Sequence, residues 1–444
     1  MKIIIAGAGE VGTHLAHLLS QENLDIVLID PNEENLNLPY STEILPVVGN
    51  PNSIADLRQA GVKGADMFIA VTPDESVNMT ACMLASNLGT EKTIARVSNE
   101  EYLIRDNMDF FKSLGVDSLI CPEILAAEEI VSALKNPWSR QWWELAGSKL
   151  ILVGAKVRDN APIVNKYLYD LSREDKMYHI VAIKRKNETI IPRGSDRILA
   201  NDILYFTTLP EYIDVIKKHA GKDDIQINKV FIMGGSRIGV KVSESLPHQI
   251  RVKLLEKNKA KSYLLAEKVE GNVMVINADG SNTDFLIREN IENCDAFVAV
   301  TDNSEANILA CLAAKNLGVP KTVAEVENID YIQMAEKLNI GTVINKKLIA
   351  ASHIYQFLLD ADVSTVKCMT FADAEVAELV ARPDSKVTKK QVKNLNLPKD
   401  MTLGGTIREG KAYMIDGETT IQPGDHVVVF CLNTAMRKIE DYFN

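Results

Sequence analysis

The sequence has no uninterrupted apolar run near the ~18 residues that indicate a membrane-spanning helix. The apolar residues of the opening MKIIIAG end at a glycine turn, which indicates a buried strand and not an export signal. The six cysteines lie far apart without a C-x-x-C pair, so neither a zinc site nor a disulfide framework is indicated. These features predict a protein of the reducing cytoplasm.

Basic residues are fewer than acidic ones. Lys and Arg number 49 against 60 Asp and Glu, which gives a formal net charge of −11. A general nucleic-acid binder needs clustered Lys and Arg to neutralise phosphates, so we expect no nucleic-acid partner. An acidic surface is compatible with the Lys- and Arg-rich cytoplasmic loops of a membrane protein, although solubility is the simpler explanation for this charge.

Patterns for catalysis are lacking as well. There is no G-x-x-x-x-G-K-[ST], so ATP hydrolysis is not indicated. His14 and His17 form an H-x-x-H pair in a predicted helix but have no third metal ligand beside them. A dehydrogenase would need a proton donor or acceptor beside the nicotinamide. The sequence therefore favours a nucleotide sensor that is not an enzyme and holds no metal, with an NAD-dependent oxidoreductase and a structural scaffold as the alternatives.

The chain contains a tandem duplication. The segment MFIAVTPDESVNMTACMLASNLG at 67–89 recurs as AFVAVTDNSEANILACLAAKNLG at 296–318, a shift of 229 residues. The segment KTIARV at 92–97 faces KTVAEV at 321–326 at the same shift. Because a missed repeat leads to a wrong fold assignment, we assign the fold of the two halves together.

Each half begins with short apolar strands that alternate with segments of helical length, which predicts parallel β-α-β units covered by helices on both faces. After these units the chain reads as strands joined by turns, with one helix. Asn201 and Gly424 occupy matching turns that favour a left-handed backbone. The predicted fold class is α/β. It has two tandem copies of a doubly wound parallel-sheet Rossmann domain, each followed by a small α+β domain, at residues 1–138, 139–222, 227–362 and 363–444.

The stretch IIIAGAGEVG carries a G-x-G-x-x-G motif between a predicted strand and a predicted helix. Its glycines permit the tight turn, the approach of a pyrophosphate and close helix packing, while the phosphates bind N–H groups at the helix N-terminus. Asp30 lies 18 residues after Gly12, where a carboxylate binds ribose hydroxyls and repels a 2′-phosphate, which favours NAD or adenosine nucleotides over NADP. The predicted first site binds NAD(H) through Gly7, Ala8, Gly9, Glu10, Val11, Gly12 and Asp30.

The second copy of this motif, GGSRIG, is altered. Ser236 replaces the middle glycine and adds a Cβ where a pyrophosphate would press, although its hydroxyl is able to donate to a phosphate. Arg237 replaces Glu10 and suits phosphate oxygens, so we expect ATP or ADP here. The alternatives are an empty site, with Arg237 as a surface charge or in an inter-domain salt bridge. The predicted second-site contacts are Gly234, Ser236, Arg237, Ile238, Gly239 and Glu256.

Further candidates follow strands of the two predicted parallel sheets: Asn50, Thr72, Arg96, Asp279 and Thr301. Ligands of doubly wound folds bind at this carboxyl edge. The two threonines are equally suited to capping the helices that follow them. Asn50 and Asp279 are at least as well suited to Asx turns. Glu325 is the counterpart of Arg96, so any ligand contact there differs between the halves.

A duplicated unit that opens on IIIAGAGEVG, carries AVTPDESVNMTAC and closes on IQPGDHVVVF resembles the TrkA family of potassium-uptake regulatory proteins, which are built from tandem RCK/KTN-type domains. The resemblance covers essentially the whole chain. It implies a cytoplasmic subunit, peripheral on the inner face of the cell membrane, that forms a homotetrameric ring beneath an integral membrane potassium-translocating subunit of the TrkH or TrkG type. It also implies that NAD(H) and ATP or ADP bind the large domains and alter ion flux through the ring.

Overall fold

The computed structural model describes residues 1–20, 24–37, 44–174, 177–186, 188–356, 363–368, 374–432 and 436–443. The chain divides into two compact units. One unit contains residues 1–125 and 346–355, and the other contains residues 126–345 and 356–444. Among the described residues, no helix is long and apolar enough to cross a membrane.

The first unit contains a parallel sheet of six strands, whose order is β3-β2-β1-β4-β5-β6. This is the strand order of dinucleotide-binding Rossmann folds. The central strand β1 carries three consecutive isoleucines that are fully buried, as expected for a sheet covered on both faces. The strands are β1 (Lys2–Ala6), β2 (Asp25–Asp30), β3 (Ile44–Val48), β4 (Met67–Ala70), β5 (Lys92–Arg96) and β6 (Ser118–Ile120).

Helices follow the strands of this sheet. The longest helix that lies wholly in this unit is capped by the Asp74 side chain at its N-terminus and ends at Gly89, whose φ of 106° is left-handed. Aspartate and glycine are preferred at these two positions. The helices are α1 (Glu10–Ser20), α2 (Ile54–Gln59), α3 (Glu75–Leu88), α4 (Arg105–Ser113) and α5 (Pro122–Lys135), the last of which continues into the second unit.

An antiparallel sheet with the order β10-β9-β11-β8-β7 follows in the second unit. Asn201, in the turn before β11, has a φ of 68°, which confirms its predicted left-handed backbone. The strands are β7 (Gln141–Leu145), β8 (Leu150–Lys156), β9 (Tyr178–Arg185), β10 (Glu188–Ile190) and β11 (Ile203–Thr208). The helices are α6 (Leu168–Glu174) and α7 (Ile213–His219).

The second parallel sheet repeats the first, with the order β14-β13-β12-β15-β16-β17. Its strands are β12 (Lys229–Met233), β13 (Arg251–Glu256), β14 (Val273–Asn277), β15 (Ala296–Ala299), β16 (Lys321–Glu325) and β17 (Thr342–Ile344). The helices that follow are α8 (Arg237–Ser245), α9 (Lys259–Lys268), α10 (Thr283–Arg288), α11 (Ser304–Asn316), α12 (Ile329–Lys337) and α13 (Lys346–Gln356).

The second antiparallel sheet has the order β18-β19-β22-β20-β21. Gly424 has a φ of 86°, as predicted for its turn. The elements are β18 (Val363–Cys368), β19 (Ala374–Val380), β20 (Met401–Arg408), β21 (Lys411–Met414), β22 (His426–Leu432) and α14 (Met436–Phe443). The predicted fold class is confirmed. The exact borders of the four domains stay a prediction.

Candidate functional site

The first glycine turn joins β1 to α1. A Cβ on Gly7, whose φ is +102°, would lie 3.0 Å from the backbone nitrogen of Thr72, and a Cβ on Gly12 would lie 1.8 Å from the Gly7 oxygen. A Cβ on Gly9 would meet no atom within 4 Å. The fold therefore requires glycine at the first and third motif positions, whereas the space beside Gly9 is open to a ligand. Glu10 and Val11 are the first residues of α1.

Asp30 ends β2 and is 7 % exposed. Its Oδ2 accepts a hydrogen bond of 2.7 Å from the backbone nitrogen of Ala8, and its Oδ1 accepts one of 2.9 Å from the backbone nitrogen of Asn32. The side chain of Asn35 also donates to Oδ1, at 3.1 Å. A carboxylate offers about four acceptor positions, so Asp30 anchors the glycine turn and keeps room for a ribose hydroxyl.

The second glycine turn joins β12 to α8 with the same steric demands. A Cβ on Gly234, whose φ is +110°, would lie 2.8 Å from the Val300 oxygen, and a Cβ on Gly239 would lie 2.1 Å from the Gly234 oxygen. The middle position differs. Ser236 is the N-cap of α8: its Oγ accepts from the backbone nitrogen of Gly239 at 3.2 Å and donates to the Val300 oxygen at 2.7 Å. The Ser236 hydroxyl, which the sequence analysis considered as a donor to a phosphate, therefore donates its hydrogen bond within the protein.

Glu256 ends β13 and is the counterpart of Asp30. It is 8 % exposed and accepts from the backbone nitrogens of Gly235 at 3.2 Å and Asn258 at 2.7 Å. It also forms an ion pair of 3.1 Å with Lys261. Both acidic residues thus hold their glycine turns in the same way, and the second one has an additional cation beside it.

A cavity of 560 Å³ lies at this second turn, lined by the turn, Glu256, Asp279 and Thr301. The cations that line it are Lys257 and Lys261. Sequence reasoning missed both, although they stand in the run KNKAK directly after β13. Arg237 is exposed at the start of α8 and is not among the lining residues. Within the described part of the chain its side chain forms no hydrogen bond or ion pair, and therefore no salt bridge between domains.

Asp279 follows β14, and the sequence is compatible with either a ligand contact or an Asx turn for it. It forms the Asx turn, since the backbone nitrogen of Ser281 donates to its Oδ1 at 3.0 Å. Its Oδ2 pairs with Lys257 at 2.8 Å. The hydrogen bonds from Lys257 and then Ser281 lower the pKa of Asp279 to about 2. Asn50 likewise accepts at 2.9 Å from the backbone nitrogen of Asn52. Both side chains therefore have a turn-forming role.

Thr72 and Thr301 do not cap a helix. Each is held by an asparagine one turn into the next helix, whose side chain is buried. Asn78 accepts from the Thr72 nitrogen at 2.8 Å and hydroxyl at 2.7 Å, and donates to the backbone oxygens of Thr72 and Arg96. Asn307 makes the same four bonds to Thr301 and Glu325. These asparagines were missed as functional residues, although both belong to the repeated segment.

Arg96 ends β5 and forms an ion pair of 2.9 Å with Glu123. Its counterpart Glu325 ends β16 and is 3 % exposed. The fifth strand thus ends on an arginine in one copy and on a glutamate in the other, and the predicted difference in ligand contacts stays a prediction. The arrangement as a whole suits the binding of nucleotides at two related but unequal turns.

Comparison with known proteins agrees with this architecture. The TrkA-N domain family model matches residues 3–122 and 230–346, and the TrkA-C domain family model matches residues 152–221 and 376–444. A Trk system potassium uptake protein TrkA from Halomonas elongata is 32% identical over 448 residues, covering 99% of this chain and 97% of that protein. TrkA homolog 2 from Methanosarcina mazei is 30% identical over 452 residues and covers 100% of both chains.

Solved structures share the fold. The crystal structure of the GsuK RCK domain superimposes with a TM-score of 0.62 at 14% identity, covering 100% of this chain and 94% of that one. A GsuK channel bound to NAD gives a TM-score of 0.61 at 14% identity and covers 100% of this chain and 78% of that one. With both domain types matched twice and full-length relatives at this identity, the chain belongs to the TrkA family of Trk system potassium uptake proteins.

Proposed function

We propose that this protein is the peripheral, cytoplasmic regulatory subunit of a potassium uptake system. Its partner is an integral membrane potassium-translocating subunit of the TrkH or TrkG type, beneath which four copies form a ring. NAD(H) binds the first glycine turn and ATP or ADP the second, and each shifts the population of ring geometries by binding one geometry better than another. The names of its full-length relatives and the NAD-bound channel of the same fold support this assignment.

The observation that carries the proposal is the difference between Gly9 and Ser236. In the first turn Gly9 precedes α1 and has no side chain to cap it, so the space beside Gly9 and the helix N-terminus suit a pyrophosphate. In the second turn Ser236 takes up the Gly239 N–H and fills the equivalent position. A dinucleotide therefore binds the first turn better. We expect a mononucleotide at the second cavity, whose two lining cations, Lys257 and Lys261, are paired with Asp279 and Glu256.

The choice of dinucleotide follows from Asp30. Its carboxylate is fixed by three donors and stands where the adenosine ribose of a Rossmann ligand binds. A 2′-phosphate would meet this fixed negative charge, so we expect NADH to bind more tightly than NADPH. Comparing the two dissociation constants of the intact protein tests this preference. Equal constants would contradict the role given to Asp30.

A test of the function measures rubidium uptake, as a substitute for potassium, in a bacterial strain that lacks its own TrkA. The strain carries the TrkH-type subunit from the genome that encodes this chain. We expect wild-type protein to raise uptake and Gly9→Ser to reduce that gain, because the added hydroxymethyl group occupies the space beside Gly9. Gly417→Ser, the same substitution at an exposed glycine between β21 and β22 where a Cβ makes an ordinary contact of 3.4 Å, is the matched control. Uptake that is independent of the wild-type protein would refute the proposal.

A further inference from the structure

A second large cavity lies away from both glycine turns. It measures 580 Å³, within the ~300–1,000 Å³ range of small-molecule sites. Its walls come from the start of β7, the end of β8, the segment after α7, and the loops that precede β16 and β17. The ends of β16 and β17 that face it are their amino ends. In a parallel sheet these lie at the opposite edge from the glycine turn.

The cavity is strongly basic in an otherwise acidic protein. Two of its lining residues are acidic, Asp159 and Asp223. A third carboxylate, Glu336, acts on Arg140 and Lys156 from nearby. The lining cations outnumber these carboxylates by six to three: Arg140, Lys156, Arg158, Lys222, Lys315 and Lys321. Buried like charges are costly unless a counter-charge accompanies them.

Four of the six cations have partners in the protein. Arg158 pairs with Asp223 at 2.6 Å, and Lys315 donates to the backbone oxygen of Asn339. Lys321 is 3 % exposed, and its ammonium donates to the Ser139 oxygen at 2.8 Å and to the Thr342 hydroxyl at 2.9 Å. Arg140 donates to the Gly341 oxygen at 3.3 Å and to the side chain of Asn339. The bonds of Lys321 and Arg140 use neutral acceptors and orient the two side chains.

Two further cations are left for a ligand. Lys156 and Lys222 line the cavity, and within the described ranges neither side chain has a hydrogen bond or an ion pair. Burial and the neighbouring cations lower the pKa of Lys321 to about 7 and that of Lys222 to about 8. Burial is the larger cause, and burial and the like charges together disfavour the protonated lysines, which a multivalent anion would stabilise.

We propose that this cavity binds a small anion that carries two or more phosphate groups, between the first antiparallel sheet and the amino edge of the second parallel sheet. Lysine binds phosphate oxygens as a point charge, and the lining lysines Lys156 and Lys222 are suited to this role. The anion draws together β7, β8, β16 and β17 within one compact unit. The site is separate from the nucleotide sites proposed above and does not depend on them.

The primary test is calorimetric titration of the full-length protein with pyrophosphate. We expect wild-type protein to bind and Lys222→Gln to bind about tenfold more weakly, the value of one charge-assisted hydrogen bond. Lys218→Gln is the matched control, because this exposed lysine lies four residues away in α7, carries the same charge and does not line the cavity. We expect its affinity to equal that of wild type.

Two results would overturn the proposal: the absence of pyrophosphate binding to wild-type protein, or equal affinity of wild type and Lys222→Gln. Loss of affinity in Lys218→Gln as large as in Lys222→Gln would also overturn it, since bulk charge would then explain binding. The titration is repeated with Gly9→Ser. Unchanged pyrophosphate affinity there supports a site apart from the first glycine turn, and lost affinity contradicts it.

A second readout uses sulfate, whose own charge is constant over the range tested. Raising the pH from about 6 to about 9 deprotonates Lys321 and Lys222, so we expect sulfate affinity to fall across this range. Affinity that is constant or rises with pH would count against the site. The charged groups that face these two lysines are Arg140, Lys156, Arg158, Lys315, Asp159, Asp223 and Glu336.

Discussion

At the scale of single residues, the middle position of the glycine motif decides how much space each turn leaves for a ligand. Gly9 leaves open space, whereas Ser236 caps α8 and bonds to Val300. The motif spacing was sufficient to predict both turns and the acidic residue that follows each. It did not predict that the serine hydroxyl is bonded internally, because that depends on the position of Val300 from a distant strand. Nor did it predict Lys257 and Lys261 as the lining cations in place of Arg237.

Exchanging Gly9 and Ser236 tests whether these residues determine which turn binds a dinucleotide. We expect Gly9→Ser to weaken NADH binding at least tenfold and Ser236→Gly to strengthen dinucleotide binding at the second turn. Replacing a serine N-cap by glycine costs only a few tenths of a kcal/mol, so Ser236→Gly should remain folded. Gly12→Ala serves as a contrast, because its Cβ would lie 1.8 Å from the Gly7 oxygen and should destabilise the protein itself. Identical NADH affinity in wild type and Gly9→Ser would contradict the assignment.

A partly buried histidine, His14 in α1, makes the stability of the protein depend on pH. Burial, then Lys347 and His17, lower the pKa of His14 to about 4. The unfolded chain therefore binds more protons between about pH 4 and 6.5, so the free energy of unfolding falls as the pH falls through this window. Leucine does not titrate, so we expect the free energy of unfolding of His14→Leu, relative to that of wild type, to be about 1–2 kcal/mol higher at pH 5 than at pH 7.5. Urea titrations at both pH values measure this gain, and a pH-independent difference would exclude it.

At the scale of elements, a buried asparagine ties the ends of neighbouring strands together in each parallel sheet. Asn78 links β4 to β5 and Asn307 links β15 to β16, with four hydrogen bonds each. These bonds hold the carboxyl edge, at which ligands of this fold bind. The sequence predicted most of these strands from their apolar runs. It missed β7, β17, β18 and α6, since three to seven residues give too little periodicity.

Removing one of these asparagines should be costly. We expect Asn307→Ala to lower the free energy of unfolding by about 2–4 kcal/mol, because buried backbone groups of Thr301 and Glu325 lose their partners. Asn87→Ala is the matched control. Its exposed side chain donates to one backbone oxygen within α3, so its loss should cost less than about 0.5 kcal/mol. Equal effects of the two variants in denaturant titrations would refute the structural role of Asn307.

At the scale of the whole molecule, duplication was the strongest signal in the sequence. The repeated segment predicted two parallel sheets, and both have the same strand order. The duplication does not predict how many copies assemble, because a repeat describes one chain whereas a ring depends on surfaces between chains. We expect four copies per ring, which native mass spectrometry of the purified protein measures. A monomeric protein at micromolar concentration would contradict the proposed assembly.

The central claim is that the first glycine turn binds NADH because Gly9 leaves it open. Calorimetric titration of the intact protein with NADH tests it most directly, with Gly9→Ser as the variant and Lys218→Gln as the control. We predict that wild type and Lys218→Gln bind NADH with equal affinity and that Gly9→Ser binds at least tenfold more weakly while unfolding at the wild-type temperature. Failure of wild-type protein to bind NADH, or undiminished binding by Gly9→Ser, would contradict the claim.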